Sequence, residues 1–134
     1  ANIDHKRVAF DLMACLDDDW KVKRARELAD LGASLVSCHT GWSEQAAGKN
    51  PNALIGKVCQ QLKYTSTQVI AMGGLKPSNI QDLKPYVEQI FAIAVGSAIT
   101  RSNDPNAAVA QFQLEINQLN SRPLSNAPWA AIER

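Results

Sequence analysis

The sequence predicts an α/β protein built from parallel βα repeats. Four short apolar runs, rich in β-branched and aromatic residues, recur along the chain, and a loop and a helical pattern follow each run. Runs that are apolar throughout are typical of strands buried on both faces, as in parallel sheets. The order β-α-β-α-β-α-β-α indicates right-handed βαβ units, and the pattern fits both a small open sheet and part of a barrel.

The boundaries of the elements follow from local signals. The strands are predicted at residues 7–13, 34–39, 68–72 and 90–95. The first helix begins at the aspartate cluster 17–19, where a carboxylate can cap the free N–H groups, and it ends at Gly32. The later helices begin at Asn50-Pro51, at Pro77-Ser78 and at Asp104-Pro105, since an N-cap residue followed by proline is a strong start signal.

Composition restricts the class of protein. The 134 residues carry 46% hydrophobic and 20% charged residues, which is typical of one globular domain, predicted at 1–120 with a polar tail at 121–134. The net charge of +1 and the dispersed basic residues predict no nucleic-acid or membrane partner. The cysteines, Cys15, Cys38 and Cys59, lack zinc-site spacing and fit a reducing, cytoplasmic compartment.

Two side chains at the ends of the predicted strands are candidate catalytic groups. In α/β folds, ligands bind at the carboxyl ends of the strands, where Asp11 and His39 lie. We expect the Asp11 carboxylate to be buried between Phe10 and Leu12, which is costly unless it is paired or functional. The alternative roles are a loop cap for Asp11 and a structural hydrogen bond for His39.

Two glycine-containing loops are candidate phosphate sites. Gly73-Gly74 follows the third strand, and Gly96-Ser97 follows the fourth and precedes one predicted helical turn. Glycines let a backbone approach a ligand closely, and free N–H groups at a helix start attract anions. Phosphate-binding barrels carry such loops after their last two strands. The alternative is that the glycines only form tight turns. Trp42 lines a pocket or covers the core, and Lys49 and Arg101 are interpreted as solvated charges.

Four segments together resemble 3-hexulose-6-phosphate synthases, members of the orotidine-phosphate decarboxylase suprafamily. They are VAFDLM at 8–13, HTGWSEQAAG at 39–48, AMGGL at 71–75 and VGSAIT at 95–100 followed by Asp104-Pro105. The resemblance covers about residues 7–119, in the family's order and spacing, so it implies the second half of a (β/α)8 barrel of about four βα units.

The resemblance also implies a function. It implies a lyase that joins formaldehyde to ribulose 5-phosphate through an enediolate stabilised by Mg²⁺, with Asp11 and His39 as catalytic groups. Gly73, Gly74, Gly96 and Ser97 would bind the substrate phosphate. Related 3-keto-L-gulonate-6-phosphate decarboxylases carry an HRSRD pattern where this chain reads HTGWS, which favours the synthase. The family also implies a homodimer.

The sequence departs from the family in ways that bear on the metal. The family's DxKxxD motif and a glutamate after its second strand have no counterpart, so the main magnesium ligands are not in this chain and no metal-binding residue is assigned. Trp42, Ser43 and Glu44 are also unusual for the family. We therefore expect an incomplete site, which association with a missing N-terminal half would complete.

Alternatives to a catalytic fragment remain open. A non-catalytic half-barrel that binds a sugar phosphate or a partner fits the same residues. A different phosphate barrel, such as an epimerase or a thiamin-phosphate synthase, would share only the glycine loops, and the HTGWSEQAAG segment argues against it.

Overall fold

The computed structural model describes residues 7–13 and 17–121. These residues form alternating strands and helices, as the sequence predicts. The strands are β1 (Ala9–Asp11), β2 (Leu35–His39), β3 (Gln68–Met72) and β4 (Ile90–Ala94). The α-helices are α1 (Asp18–Asp30), α2 (Trp42–Ala46), α3 (Pro51–Leu62), α4 (Ser97–Thr100) and α5 (Pro105–Asn120), and a 3₁₀ segment spans Pro77–Gln89.

The strands form one parallel sheet in the order β1-β2-β3-β4. Because parallel crossovers are right-handed, an order that never reverses places the connecting helices on one face of the sheet. In agreement, α1 packs on α3, α3 on the 3₁₀ segment, and the 3₁₀ segment on α5. This arrangement is that of a partial barrel, because an open doubly wound sheet reverses its strand order and places helices on both faces.

The face of the sheet opposite the helices is the concave, inner face of the partial barrel. A side-chain contact links the two ends of the sheet, since the guanidinium of Arg7, just before β1, lies 4.9 Å from the ring centre of Phe91 in β4.

The hydrophobic core lies between the convex face of the sheet and the helices. Val36 and Cys38 of β2 pair with Val69 and Ala71 of β3, and these four side chains are almost fully buried. The core continues into α3 through Ile55, Val58, Cys59 and Leu62. Desolvation raises the pKa of the Cys59 thiol to about 12, and burial and the neighbouring Cys59 raise the pKa of Cys38. Both thiols therefore behave as small apolar groups.

Two elements differ from their predicted bounds. The strand predicted at residues 7–13 pairs only over Ala9–Asp11, because β1 is an edge strand whose side chains stay exposed. The helix expected to end near Leu83 is a longer 3₁₀ segment that contains Pro85, which lacks the N–H that an α-helix interior requires. Cys15 and residues 122–134 of the predicted tail lie outside the described residues. Among the helices described, none is both long and apolar enough to cross a membrane.

Candidate active site

The carboxyl ends of the strands bring the predicted catalytic residues together. Asp11 ends β1 and His39 ends β2, and the parallel register aligns Asp11 with Ser37. Residues two apart on a strand share a face, so Asp11, Ser37 and His39 project toward the concave side. The sequence identifies both residues, and the structure places them side by side.

Asp11 and His39 form a hydrogen-bonded pair. The Nδ1 atom of His39 lies 3.1 Å from Oδ2 of Asp11, and Oδ1 of Asp11 accepts a hydrogen bond of 2.8 Å from the Met13 N–H. An ionised carboxylate only accepts hydrogen bonds, so Nδ1 carries the proton of this contact. The Nε2 atom is then the nitrogen left for proton exchange with a ligand.

The expected burial of Asp11 is wrong. Its side chain is 45% exposed, whereas the His39 ring is 25% exposed. The reason is that β1 is an edge strand with exposed residues throughout. The carboxylate contacts the His39 ring and accepts from the Met13 N–H, so the loop cap considered as its alternative role is present, and its catalytic role stays a prediction.

A cleft of about 320 Å³ opens beside His39 at the ends of β2, β3 and β4. This volume lies at the lower end of the range for small-molecule sites. The residues that line it include all the candidates except Asp11: His39, Gly73, Gly74, Gly96 and Ser97, together with Trp42 and Gln45. Asp11 therefore lies behind His39, to which it is hydrogen-bonded, and outside the lining of the cleft.

The first glycine loop is shaped by packing as well as by backbone conformation. Gly73 and Gly74 both have positive φ, at 85° and 75°. A Cβ on Gly73 would lie 2.8 Å from the backbone nitrogen of Thr40 and 2.9 Å from Cδ2 of His39. Real Cβ atoms essentially never come that close, so Gly73 lets the β3 loop pack directly against the loop that carries His39.

The second glycine loop is open to the cleft. Gly96 precedes α4, and a Cβ added to it would meet no atom within 4 Å. The absence of a side chain therefore leaves space over the backbone where α4 begins.

The structure contains a buried ion pair beneath the His39 loop that was not predicted from the sequence. Lys21 of α1 and Glu44 of α2 are 0% and 2% exposed, and Nζ of Lys21 lies 2.8 Å from both Glu44 oxygens. Desolvation opposes ionisation of Glu44, but hydrogen bonds from Lys21 and the Gly41 N–H prevail and hold its pKa below the ordinary value. Glu44 follows Gly41 by three residues, as the glutamate of a capping box follows its N-cap residue. This spacing is the sequence signal that Glu44 contacts the backbone at Gly41.

Trp42 and Arg101 meet at the mouth of the cleft. Trp42 lines the cleft and is 63% exposed, and the Arg101 guanidinium lies 4.5 Å from its ring centre. Arg101 is exposed, as a solvated charge would be, and its guanidinium also stacks on the aromatic face. Lys49 is paired with Asp18 at 3.0 Å and lies 3.5 Å from Glu44.

Comparison with known proteins finds relatives of this chain. No protein-family model matches it. It is 34% identical over 111 residues to 3-hexulose-6-phosphate synthase 1 of Staphylococcus saprophyticus, a match that covers 83% of this chain and 50% of the relative. The chain is a homologue of the 3-hexulose-6-phosphate synthases. It spans about half the length of the curated synthases that it matches.

Solved structures agree with this homology and with the partial barrel. The crystal structure of 3-hexulose-6-phosphate synthase from Salmonella typhimurium superposes with a TM-score of 0.68 at 28% identity, over 86% of this chain and 51% of that one. A crystal structure of KGPDC from Streptococcus mutans superposes with a TM-score of 0.69 at 21% identity, over 88% of this chain and 51% of that one. The second likeness is one of fold alone.

The described residues of this synthase homologue offer few ligands for magnesium. Magnesium binds through one or two carboxylates with waters and substrate oxygens in octahedral geometry. Asp11 is a carboxylate at a strand end, and its oxygens accept hydrogen bonds from the Met13 N–H and the His39 ring. The part of the chain that is described contains no group of three or more His, Cys, Asp or Glu residues that could hold a metal.

Proposed function

We propose that this chain provides the phosphate-binding loops and the proton-transfer histidine of a lyase site of the 3-hexulose-6-phosphate synthase type. The reaction is the addition of formaldehyde to ribulose 5-phosphate. The Asp11–His39 hydrogen bond beside a glycine-lined cleft carries the proposal, because it joins an oriented imidazole to an anion-sized opening. Homology to the synthases supports the choice of substrate.

The phosphate of the substrate binds between the two glycine loops. Gly74 and Gly96 border the same cleft, and the space over Gly96 allows phosphate oxygens to approach the backbone N–H groups at the start of α4. Backbone N–H groups bind phosphate without a charged side chain. Arg101, stacked on Trp42 at the mouth, adds positive charge near the entrance.

His39 moves the proton of the reaction. Its Nε2 atom accepts the proton from C1 of ribulose 5-phosphate, and the resulting enediolate carbon forms a bond to the formaldehyde carbon. The imidazolium then returns the proton to the new alkoxide oxygen. Asp11 holds the ring in the required tautomer and stabilises the imidazolium, as carboxylates do beside catalytic histidines.

Residues outside the described part of the site are needed for magnesium. The resemblance implies that this ion stabilises the enediolate in the family, and the described carboxylates do not supply its coordination shell. We therefore propose that a second chain segment, corresponding to the other half of the relatives' length, contributes those ligands.

The test is an assay of formaldehyde-dependent consumption of ribulose 5-phosphate in the presence of magnesium. The chain is assayed alone and mixed with a separately expressed N-terminal half of a homologous synthase. Activity only on mixing supports the shared site, and activity of the chain alone contradicts the need for a second segment. Inactivity of both samples, together with undetectable binding of ribulose 5-phosphate by calorimetry, would reject the proposed function.

Substitution of histidine provides the matched control. The chain has two histidines, His5 and His39. His39→Gln should lower kcat by about 10²-fold or more, the range for loss of a general acid–base group, with little change in KM. His5→Gln should leave both constants unaltered. Equal effects of the two substitutions would contradict the assignment of His39.

A further inference from the structure

We propose that the buried pair Lys21–Glu44 positions His39 by fixing the backbone of the loop between β2 and α2. The inference rests on the proposed function only in treating His39 as the group that acts on the substrate. Lys21 and Glu44 do not line the cleft, so they are positioning residues that act through the loop.

The backbone of this loop is held at four consecutive polar groups. Two bonds come from the ion pair: Nζ of Lys21 donates to the His39 carbonyl at 3.1 Å, and Oε2 of Glu44 accepts from the Gly41 N–H at 2.9 Å. The two bonds between them come from the sheet and from α2. The Thr40 N–H donates to the Met72 carbonyl at 3.3 Å, and Nε2 of Gln45 donates to the Thr40 carbonyl at 2.8 Å.

The ion pair ties this loop to a helix far from it in sequence. Lys21 and Glu44 are 23 residues apart, and Lys21 belongs to α1, which packs on the convex side of the sheet. The pair therefore fixes the His39 carbonyl relative to the core. His39 in turn reaches across to Asp11 on β1, so an error in the loop would lengthen the Asp11–His39 contact of 3.1 Å.

Stability alone is a weak reason for such a pair. Desolvation of two charges offsets most of their attraction, and apolar residues of the same volume are often equally stabilising. Here, however, each charge also bonds a backbone group of the loop that carries the histidine. The geometry points to precision of the loop as the property that the pair supplies.

The variant that separates the two roles is Lys21→Met with Glu44→Gln. It leaves no uncompensated charge in the core, and the new amide oxygen can still accept from the Gly41 N–H. The His39 carbonyl loses its donor, and residue 44 loses its hydrogen bonds to Lys21 and its charge pairing with Lys49 at 3.5 Å. The matched control is Arg26→Gln with Asp30→Asn, which removes an exposed ion pair of 3.0 Å from the same helix.

The readout is the tautomer of His39, followed by ¹⁵N NMR of the imidazole. A His5→Gln background leaves one histidine, so each ring nitrogen gives one assignable signal. With Nδ1–H held by Asp11, the neutral ring has two widely separated ¹⁵N resonances. The control variant should keep this separation. The Lys21→Met/Glu44→Gln variant should move the resonances toward each other as the two tautomers exchange.

Retention of the full separation in a folded Lys21→Met/Glu44→Gln variant would overturn the proposal. If this variant does not fold, Lys21→Gln with Glu44→Gln replaces it, because the amide N–H of residue 21 can still donate to the His39 carbonyl although the side chain is one atom shorter than lysine. Two well-separated resonances in this variant support positioning through the hydrogen bond to the loop, whereas averaged resonances in the folded protein would assign the effect to charge and overturn the proposal.

Kinetics provide a second readout that depends on the proposed function. In any wild-type sample with synthase turnover, the Lys21→Met/Glu44→Gln variant should lose about 10²-fold in kcat, the loss expected for misplacement of a group by about 1 Å. KM should change less than about twofold, because the glycine loops are untouched. Absence of wild-type turnover would count against the proposed function, and the NMR result would still decide the positioning role.

Discussion

A methyl group added at Gly73 tests whether the two active-site loops depend on their close contact. Gly73 and Gly32 have nearly the same φ, 85° and 84°, but their surroundings differ. A Cβ at Gly32 would meet nothing within 4 Å, whereas at Gly73 it would lie 2.8 Å from the Thr40 nitrogen. Alanine at either position therefore carries the same conformational cost, and only Gly73→Ala adds a collision.

The expected magnitudes follow from these geometries. The left-handed conformation costs an alanine about 1–2 kcal/mol, which is the whole expected loss at Gly32. Overpacking adds about 1–3 kcal/mol at Gly73, for a total of roughly 2–5 kcal/mol. Urea unfolding at equal m-values measures the difference directly. The Gly73 variant should also weaken the Asp11–His39 contact, because the methyl group would lie 2.9 Å from Cδ2 of His39.

Equal losses at Gly32 and Gly73 would refute this reasoning. Gly73 would then be a glycine only because of its φ, as in an ordinary tight turn. A larger loss of unfolding free energy at Gly73 with an unaltered ¹⁵N spectrum of His39 would mean that the loop after β3 moves to relieve the collision. The loop that carries His39 would then keep its position.

Three further predictions concern association, acid stability and thiol reactivity. Exposed apolar side chains at the sheet edge and on α5, including Phe10, Phe91 and Leu114, predict that the isolated chain self-associates at micromolar concentration, and a clean monomer in analytical ultracentrifugation would contradict this. Because the pKa of Glu44 is lowered on folding, its contribution to stability is full above its unfolded value of about 4.5 and is lost as pH falls through the folded pKa. Wild type should therefore lose more stability than Lys21→Met/Glu44→Gln on acidification from about pH 6 to about pH 3, and parallel unfolding curves would exclude this. In a Cys15→Ser background, the buried Cys38 and Cys59 should react with a thiol reagent only on unfolding, so rapid labelling of the native protein would argue against the core arrangement.

The sequence predicted the four parallel strands, and the candidate site residues at their carboxyl ends stay a prediction. The runs that became β2, β3 and β4 are mainly apolar, but burial on both faces is found only in β2, whereas β3 alternates and β4 has no fully buried residue. The length of the edge strand β1 was overestimated, because the apolar residues at 7–13 do not reveal where its pairing with β2 stops. For the same reason, the sequence misjudged the exposure of Asp11 while placing it at the correct strand end.

The pairing of Lys21 with Glu44 was not predicted from the sequence. Helical spacing places Lys21 one turn before Ala25 on the apolar face of α1, whereas Lys23 lies on the charged face with Arg26, so the period signals burial of Lys21 but does not identify its partner. Its partner is 23 residues away and becomes adjacent only when α1 and α2 converge under the β2 loop. Long-range pairs of this kind depend on tertiary packing, which sequence periodicity does not encode.

Under the proposed function, the two sides of the cleft have different requirements, one for binding the phosphate and the other for proton transfer. The β3 and β4 loops present backbone, with Gly74 and Gly96 bordering the opening. The β1 and β2 side presents side chains linked by hydrogen bonds: Asp11 contacts the His39 ring, and Lys21 donates to the His39 carbonyl. Backbone N–H groups can bind a phosphate wherever the space above them is open. Proton transfer, in contrast, requires an imidazole whose position is fixed to within a fraction of an ångström. Substitutions in the β3 and β4 loops should therefore alter KM more than kcat, and substitutions of Asp11, His39 or Lys21 should alter kcat more than KM.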